Sequence, residues 1–390
     1  MKILIDISYI TSEQKSKESV AIYAFRFLDS IKKNNGCKID LLVSEEMISF
    51  IKKRYPHYEI ITYPSIKPWI KSIPYLKGII KTFKWKNFIN MLDYDVIYIP
   101  FSWSGNSLKT KIPKVVTIHD LRPMRFAERA FTSSKWFRTL GLKHIYLKCS
   151  KFFYTCHCKN ANKIIGISDY IAQDIKNEWP EYANKVQTIY NGVTLPTELD
   201  IPIETLVGVP YILYVNTLAK YKNIITLIRA FAIIKDKYPT LKLVVVGKST
   251  DYWTNIVVPE INNRCIADRI CHIKYLSDEQ LIWAYKNAKI FITPSIHEGF
   301  GYTPIEAAIC GAPVISSRCD SLPDVTANKV TYFDPPTSEE NLAEKIESLL
   351  DRPKTKNELQ EISSFFKERY DQAHQSNKIL ECVLSSCNSN

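Results

Sequence analysis

Two carboxylates, Glu298 and Glu306, stand with seven residues between them and bracket a loop that carries Gly299 and Gly301. An apolar run ends at Ser295 and the glycines follow. Thr303, Pro304 and Glu306 then have the types expected at a helix start: a capping residue, a proline at the first helical position and an acid three after the cap. Gly311 stops that helix. A glycine-rich loop feeding a helix N-terminus presents unpaired backbone amides at the positive end of the helix dipole, a setting that suits a phosphate. Glu306 also has a purely structural reading, as the partner of Thr303 in a capping box. Glu298, between His297 and Gly299 at the carboxyl end of a strand, lies where the ligand-binding loops of α/β sheets gather.

The elements that must position these residues follow from hydrophobic patterning. Residues 2–6, 39–43, 96–99, 115–118 and 163–167 are short apolar runs separated by amphipathic segments, including a helix over about 18–33. Continuous apolar strands alternating with helices imply a parallel sheet covered on both faces. The pattern pauses at Asn191-Gly192 and at the prolines Pro196, Pro202 and Pro210. It resumes with strands at 211–215, 242–246, 289–293 and 313–316 and helices at 224–237 and 278–287. The expectation is a domain over 1–193, a linker over 194–210 and a second domain over 211–370. A helix at 371–390 is expected to return to the first domain. Two Rossmann-like α/β domains of this kind are expected to face each other across a cleft holding the active site.

The Glu298–Glu306 element, followed by Cys310-Gly311-Ala312-Pro313-Val314 and by Ser321-Leu322-Pro323-Asp324-Val325, resembles the family 4 retaining glycosyltransferases, which have the GT-B fold. Residues 116–121, 189–193, 211–223, 243–248 and 276–281 match that family's segments in the same order, so the resemblance spans about four-fifths of the chain and is weakest over 8–90. It implies transfer of a hexose from a nucleotide-diphospho-sugar, with Glu306 on the ribose and Glu298 beside the reacting sugar. Gly299, Phe300, Gly301, Tyr302 and Thr303 would offer amides to sugar and phosphate, Lys222 would face the diphosphate, and His119 would face the sugar from the other domain. Asn216 and Thr217 belong to the donor loop. The family usually has Gly where Asn216 stands and often Arg at Thr217 or Tyr221, so phosphate binding would rest on Lys222 with help from Lys220 or Lys248. The segment around Thr217 and Asn223 resembles polysaccharide mannosyl- and rhamnosyltransferases. GDP-mannose is therefore the first expected donor and a UDP-hexose the second, with a glycan or lipid-linked oligosaccharide of O-antigen or capsule assembly as acceptor. No metal or other cofactor is expected. The alternative is a catalytically inert GT-B partner in a polysaccharide assembly complex.

Charge adds a partner. Residues 1–195 hold 31 Lys+Arg against 16 Asp+Glu, or +15, and the remainder 21 against 24, or −3. Between Ile60 and Leu92 there is no acid, and Lys67, Lys71, Lys77, Lys81, Lys84 and Lys86 interleave with Trp69, Tyr75, Phe83 and Trp85. A second acid-free stretch runs over 129–160. Basic residues mixed with aromatics suit an anionic membrane surface. With no signal-peptide pattern and no spanning run of about 18 apolar residues, the expectation is a cytoplasmic protein, peripheral on the inner face of the cell membrane. No nucleic-acid-binding signature accompanies the charge, and eleven glycines form neither GxGxxG nor a Walker loop. Asp93-Tyr94-Asp95 has the form of a metal-binding DxD but precedes its strand, which favours a strand-entry turn. The ten cysteines lack framework spacing; Cys149, Cys156 and Cys158, with His157, are expected on a helix as structural thiols.

Overall fold

The computed structural model describes residues 1–31, 36–64, 74–125, 143–195 and 199–387. Its contacts divide the chain into two units, one of Met1–Gly192 with Gln372–Asn390 and one of Val193–Asp371.

The first unit is built on seven parallel strands: β1 (Lys2–Asp6), β2 (Lys38–Ser44), β3 (Glu59–Tyr63), β4 (Val96–Ile99), β5 (Lys114–Ile118), β6 (Lys163–Gly166) and β7 (Val186–Thr188). They lie in the order β3-β2-β1-β4-β5-β6-β7. The second unit has β8 (Tyr211–Val215), β9 (Lys242–Val246), β10 (Ile270–Ile273), β11 (Ile290–Thr293), β12 (Val314–Ser317) and β13 (Thr331–Phe333), all parallel, in the order β10-β9-β8-β11-β12-β13. The central strands read as unbroken apolar runs because helices cover both faces. Val96–Ile99 and Ile290–Thr293 are buried at every position.

The strands that patterning did not single out are β3, β7, β10 and β13, the four sheet edges. An edge strand is half-covered, so its composition need not be apolar throughout. Glu59–Tyr63 accordingly mixes exposed and partly buried positions before the buried Tyr63, and Ile270–Ile273 stays partly buried along its length.

In the first unit the helix Gln372–Ser385 places Ile379, Leu380, Cys382 and Val383 in the same apolar cluster as Ile3, Ile5 and Phe27. In the second, residues 199–210 are not a free linker. Ile203 and Leu206 are buried, and Asp200 pairs with Lys286 at 2.6 Å.

One expectation is corrected. Trp85, expected at a membrane face, is fully buried, and its indole N–H donates to Asp6 at 3.0 Å; in the same helix Phe83 is 55% exposed. Trp69, Lys71 and residues 129–142 of the second basic stretch lie outside the described residues. Asp93 and Asp95, read from the sequence as a strand-entry turn, hold Lys2. The Lys2 ammonium meets Asp93 at 2.7 Å and the Lys2 backbone N–H donates to Asp95 at 2.7 Å. His157 is turned to the Trp103 carbonyl at 2.9 Å, and Cys149, Cys156 and Cys158 are free thiols.

Candidate active site

The loops at the carboxyl ends of β8, β11 and β12 converge in the second unit. After β8, residues 216–223 lead into the helix Ile224–Ile234. Asn223 makes the turn by adopting a left-handed backbone, φ 56°, a conformation that asparagine tolerates better than most residues. Its side-chain amide donates to the carbonyls of Pro294 (3.0 Å) and Pro336 (2.7 Å), and its Oδ1 accepts from the Thr226 hydroxyl at 2.9 Å. The Ile296 amide donates to the Tyr221 carbonyl at 2.9 Å. The β8 loop and the β11 loop are thus sewn together, and the contact of consequence is the ion pair between Lys222 and Glu298. Both side chains are about nine-tenths buried, 10% and 11% exposed. The Ser295 hydroxyl also donates to the Glu298 carboxylate, at 3.2 Å.

A third segment clamps the loop from the β12 side. Asp320, itself left-handed at φ 42°, accepts from the Glu298 backbone N–H and meets His297 Nδ1, each at 3.1 Å. The Ser321 hydroxyl donates to the Glu298 carbonyl at 2.9 Å, and Cys319 Sγ donates to the Ser295 carbonyl at 3.0 Å. Asp320, Ser295 and Ser321 were not singled out as site residues. The available signal was position: Asp320 follows β12 at its carboxyl end, where α/β sheets carry their ligands.

The glycine loop ends differently from the sequence expectation. The helix is Tyr302–Ile309, and its N-cap is Gly301, not Thr303. Gly301 has φ 93°, and a Cβ there would stand 2.6 Å from Leu322 Cδ2. Position 301 therefore favours glycine for its backbone, and a Cβ there would displace the Leu322 methyl. No side chain caps this helix, so the Thr303–Glu306 capping box does not form. The Glu306 carboxylate instead accepts from the buried Tyr285 hydroxyl at 3.4 Å, and burial holds the Tyr285 phenol well above its usual pKa. The Tyr302 and Thr303 amides belong to the helix's first turn, at the positive end of its dipole. Gly299 precedes the turn, and Phe300 is buried against Tyr370 with ring centroids 5.6 Å apart.

Asn216 and Thr217 sit at the end of β8. The Asn216 side chain accepts from the Thr217 N–H at 2.9 Å, and its backbone N–H donates to Val246 at 3.1 Å. A Cβ at Gly247 would lie 2.1 Å from the Asn216 carbonyl, so glycine lets the two loops touch. Lys248 follows and is exposed.

The structure brings Lys222, Glu298 and the Gly299–Tyr302 turn together, with Glu306 on the helix behind. His119 is in the other unit. Its Nε2 meets the Pro100 carbonyl at 2.8 Å and its ring stands edge-on to Tyr23 at 4.8 Å. Burial lowers its pKa, against the opposing pull of that hydrogen bond.

Both units match known families. A family model described as "Glycosyl transferases group 1" matches residues 199–364, and one described as "Glycosyltransferase Family 4" matches residues 20–195. The chain belongs to the family 4 glycosyltransferases. It is 27% identical over 222 residues, 57% of each chain, to the O-antigen chain mannosyltransferase RfbU of Salmonella typhimurium. The chain spans about half or less of the length of the curated relatives it matches. Among solved structures, a sucrose-phosphate synthase of Thermosynechococcus elongatus aligns over 100% of both chains with a TM-score of 0.72 at 17% identity. Anabaena HepE in complex with UDP and glucose aligns over 99% of this chain and 100% of that one, TM-score 0.67, again at 17% identity. These likenesses establish the GT-B fold.

Proposed function

We propose that the chain is a retaining hexosyltransferase that moves a hexose, mannose first, from a nucleotide-diphospho-sugar to a saccharide acceptor of surface polysaccharide assembly, without a divalent metal. The observation that carries this reading is the buried Lys222–Glu298 pair beside the Gly301-capped helix start. It sets a fixed cation and the positive end of a helix start next to a carboxylate at the carboxyl end of a parallel sheet. The mannosyl assignment is supported by the name of the Salmonella relative, and a diphosphate donor by the UDP bound to HepE.

In the reaction, the anomeric C–O bond breaks with its electron pair passing to the diphosphate oxygen. The acceptor hydroxyl oxygen bonds to the anomeric carbon, and its proton leaves with the diphosphate. Lys222 and the helix-start amides stabilise the growing negative charge. Glu298 stabilises positive charge on the sugar, as carboxylates do in glycosidases, and Glu306 holds the ribose. The basic surplus of the first unit further favours an anionic membrane surface, and hence the inner face of the cell membrane as the place of work.

A thermal-shift screen of GDP-mannose, UDP-glucose and UDP-galactose tests this reading. A donor at 100 times its Kd stabilises by about 2.7 kcal/mol. We expect one donor to do so, with nucleoside diphosphate released on turnover and turnover preserved in EDTA. Stabilisation by none of them contradicts the donor assignment, and binding without any turnover favours the inert alternative.

A further inference from the structure

We propose that Asp320 is a positioning residue for the transfer step: it holds the Glu298 main chain so that the carboxylate stays on Lys222, aimed at the reacting sugar. This rests on the transferase reading above and deepens it, by naming what fixes the direction of the group that meets the sugar.

β11 and β12 pair in register as far as Thr293 and Ser316. Past those residues, side chains of the β12 loop continue the join. The Ser317 hydroxyl and Cys319 Sγ both donate to the Ser295 carbonyl, at 2.6 and 3.0 Å. Asp320 Oδ2 accepts the Glu298 N–H at 3.1 Å, and the Ser321 hydroxyl donates to the Glu298 carbonyl at 2.9 Å. Two consecutive residues thus grip both main-chain polar groups of Glu298. Ser295 matters for the same reason, because its own hydroxyl donates to the Glu298 carboxylate at 3.2 Å. The β12 loop therefore fixes the two residues that decide where that carboxylate lies.

Folding alone does not call for an acid at 320. The Glu298 N–H needs a partner, and a hydroxyl or a carbonyl would serve. A carboxylate sets a second acid beside Glu298, which like-charge repulsion disfavours. It also comes from a left-handed backbone, φ 42°, a conformation that costs energy in any residue but glycine. Strain of this kind gathers where the surroundings over-determine a functional geometry. What the carboxylate adds is a stronger, charge-assisted hold and a second bond from the same oxygen, to His297 Nδ1 at 3.1 Å. Residues 297 and 298 are thereby held from one point. The precision bears on rate, since a displacement of about 1 Å in a reacting group costs about a hundredfold.

The test compares Asp320→Gly, which keeps the left-handed backbone and loses the acceptor, with Asp320→Asn, which keeps both. Nucleoside diphosphate release by the full chain is followed with GDP-mannose, UDP-glucose and UDP-galactose. We expect Asp320→Gly to lower kcat at least about tenfold, with the donor KM and the nucleoside diphosphate Kd within about threefold of wild type. Asp320→Asn should restore kcat to within about threefold of wild type. In a Glu298→Gln background, Asp320→Gly should cost less than about threefold more, because the group it positions is gone. A clamp that only stabilises the fold would lower kcat, nucleotide affinity and melting temperature together. That pattern overturns the proposal, as do an unchanged kcat in Asp320→Gly, failure of that variant to fold, no recovery in Asp320→Asn, or a full multiplicative loss in the Glu298→Gln background. Absence of turnover by the wild-type chain with all three donors would instead overturn the transferase reading, and the hold on Glu298 is then read without turnover. The coupling between Lys222→Met and Glu298→Gln in urea melts should shrink to about half or less in the Asp320→Gly background, and unchanged coupling overturns the hold.

Discussion

Glu306 and Glu298 differ in what their removal leaves behind. Glu306 is the acceptor for the buried Tyr285 hydroxyl. Glu306→Ala strands that hydroxyl and should cost about 1–3 kcal/mol, whereas Glu306→Gln keeps an acceptor oxygen and should cost little. Tyr285→Phe, which removes the stranded group, should recover most of the loss in the Ala background. Urea melts of the four proteins check this, and equal stability of Glu306→Ala and wild type would remove the contact from the account. Lys222 is the opposite case, because its partner is a carboxylate with little access to water. Lys222→Met should cost about 3–5 kcal/mol by leaving Glu298 uncompensated, and Lys222→Met with Glu298→Gln should be more stable than Lys222→Met alone. Additive losses in the double variant would show that the two groups do not interact.

The loop–helix element at 298–309 was legible in the sequence down to its two carboxylates, but the first residue of its helix was not. Thr-Pro-x-Glu has the composition of a capping box, and the alternative, a glycine cap with positive φ, differs only by a local backbone choice that composition does not reveal. The clamp through Asp320 and the sewing through Asn223 were illegible for a related reason. Each joins residues far apart in sequence, and neither leaves a periodic pattern. The central strands, buried on both faces, could be read directly, while the four edges lacked the apolar continuity that reading depends on. The Asn223 knot gives an element-scale prediction. Asn223→Gly keeps the left-handed turn and loses the side-chain bonds, while Asn223→Ala loses both. Thermal melts should therefore place Ala below Gly by about 1 kcal/mol, with both below wild type. If Ala equals Gly, the backbone conformation at 223 is not a constraint.

At the scale of the whole molecule, buried ionisable groups set the pH range of stability. The His157 ring is buried with Nδ1 unpaired, and burial, joined by the nearby Lys114 charge, pushes its pKa down to about 3. The unfolded chain takes up that proton below about pH 6.5. Stability should then fall as pH drops from 6.5 toward 3, with a slope of at most about 1.4 kcal/mol per pH unit from this group. His157→Gln should flatten that limb in melts across the range, and an unchanged slope would assign acid lability elsewhere. Burial likewise lowers Lys114 to about 7, so its cost is relieved as pH rises from there toward 10.5. The basic first unit predicts co-sedimentation with anionic vesicles that high salt reverses, weakened by Phe83→Ser; equal binding to neutral vesicles would remove the membrane from the account. The central claim, that the second unit's paired Lys222 and Glu298 form the reacting end of a donor site, is tested most directly by Glu298→Gln, measured for turnover and for nucleoside diphosphate affinity in the same preparation. The account predicts that kcat falls by about two orders of magnitude or more while the nucleoside diphosphate Kd stays within about threefold of wild type. Turnover near the wild-type rate would contradict it.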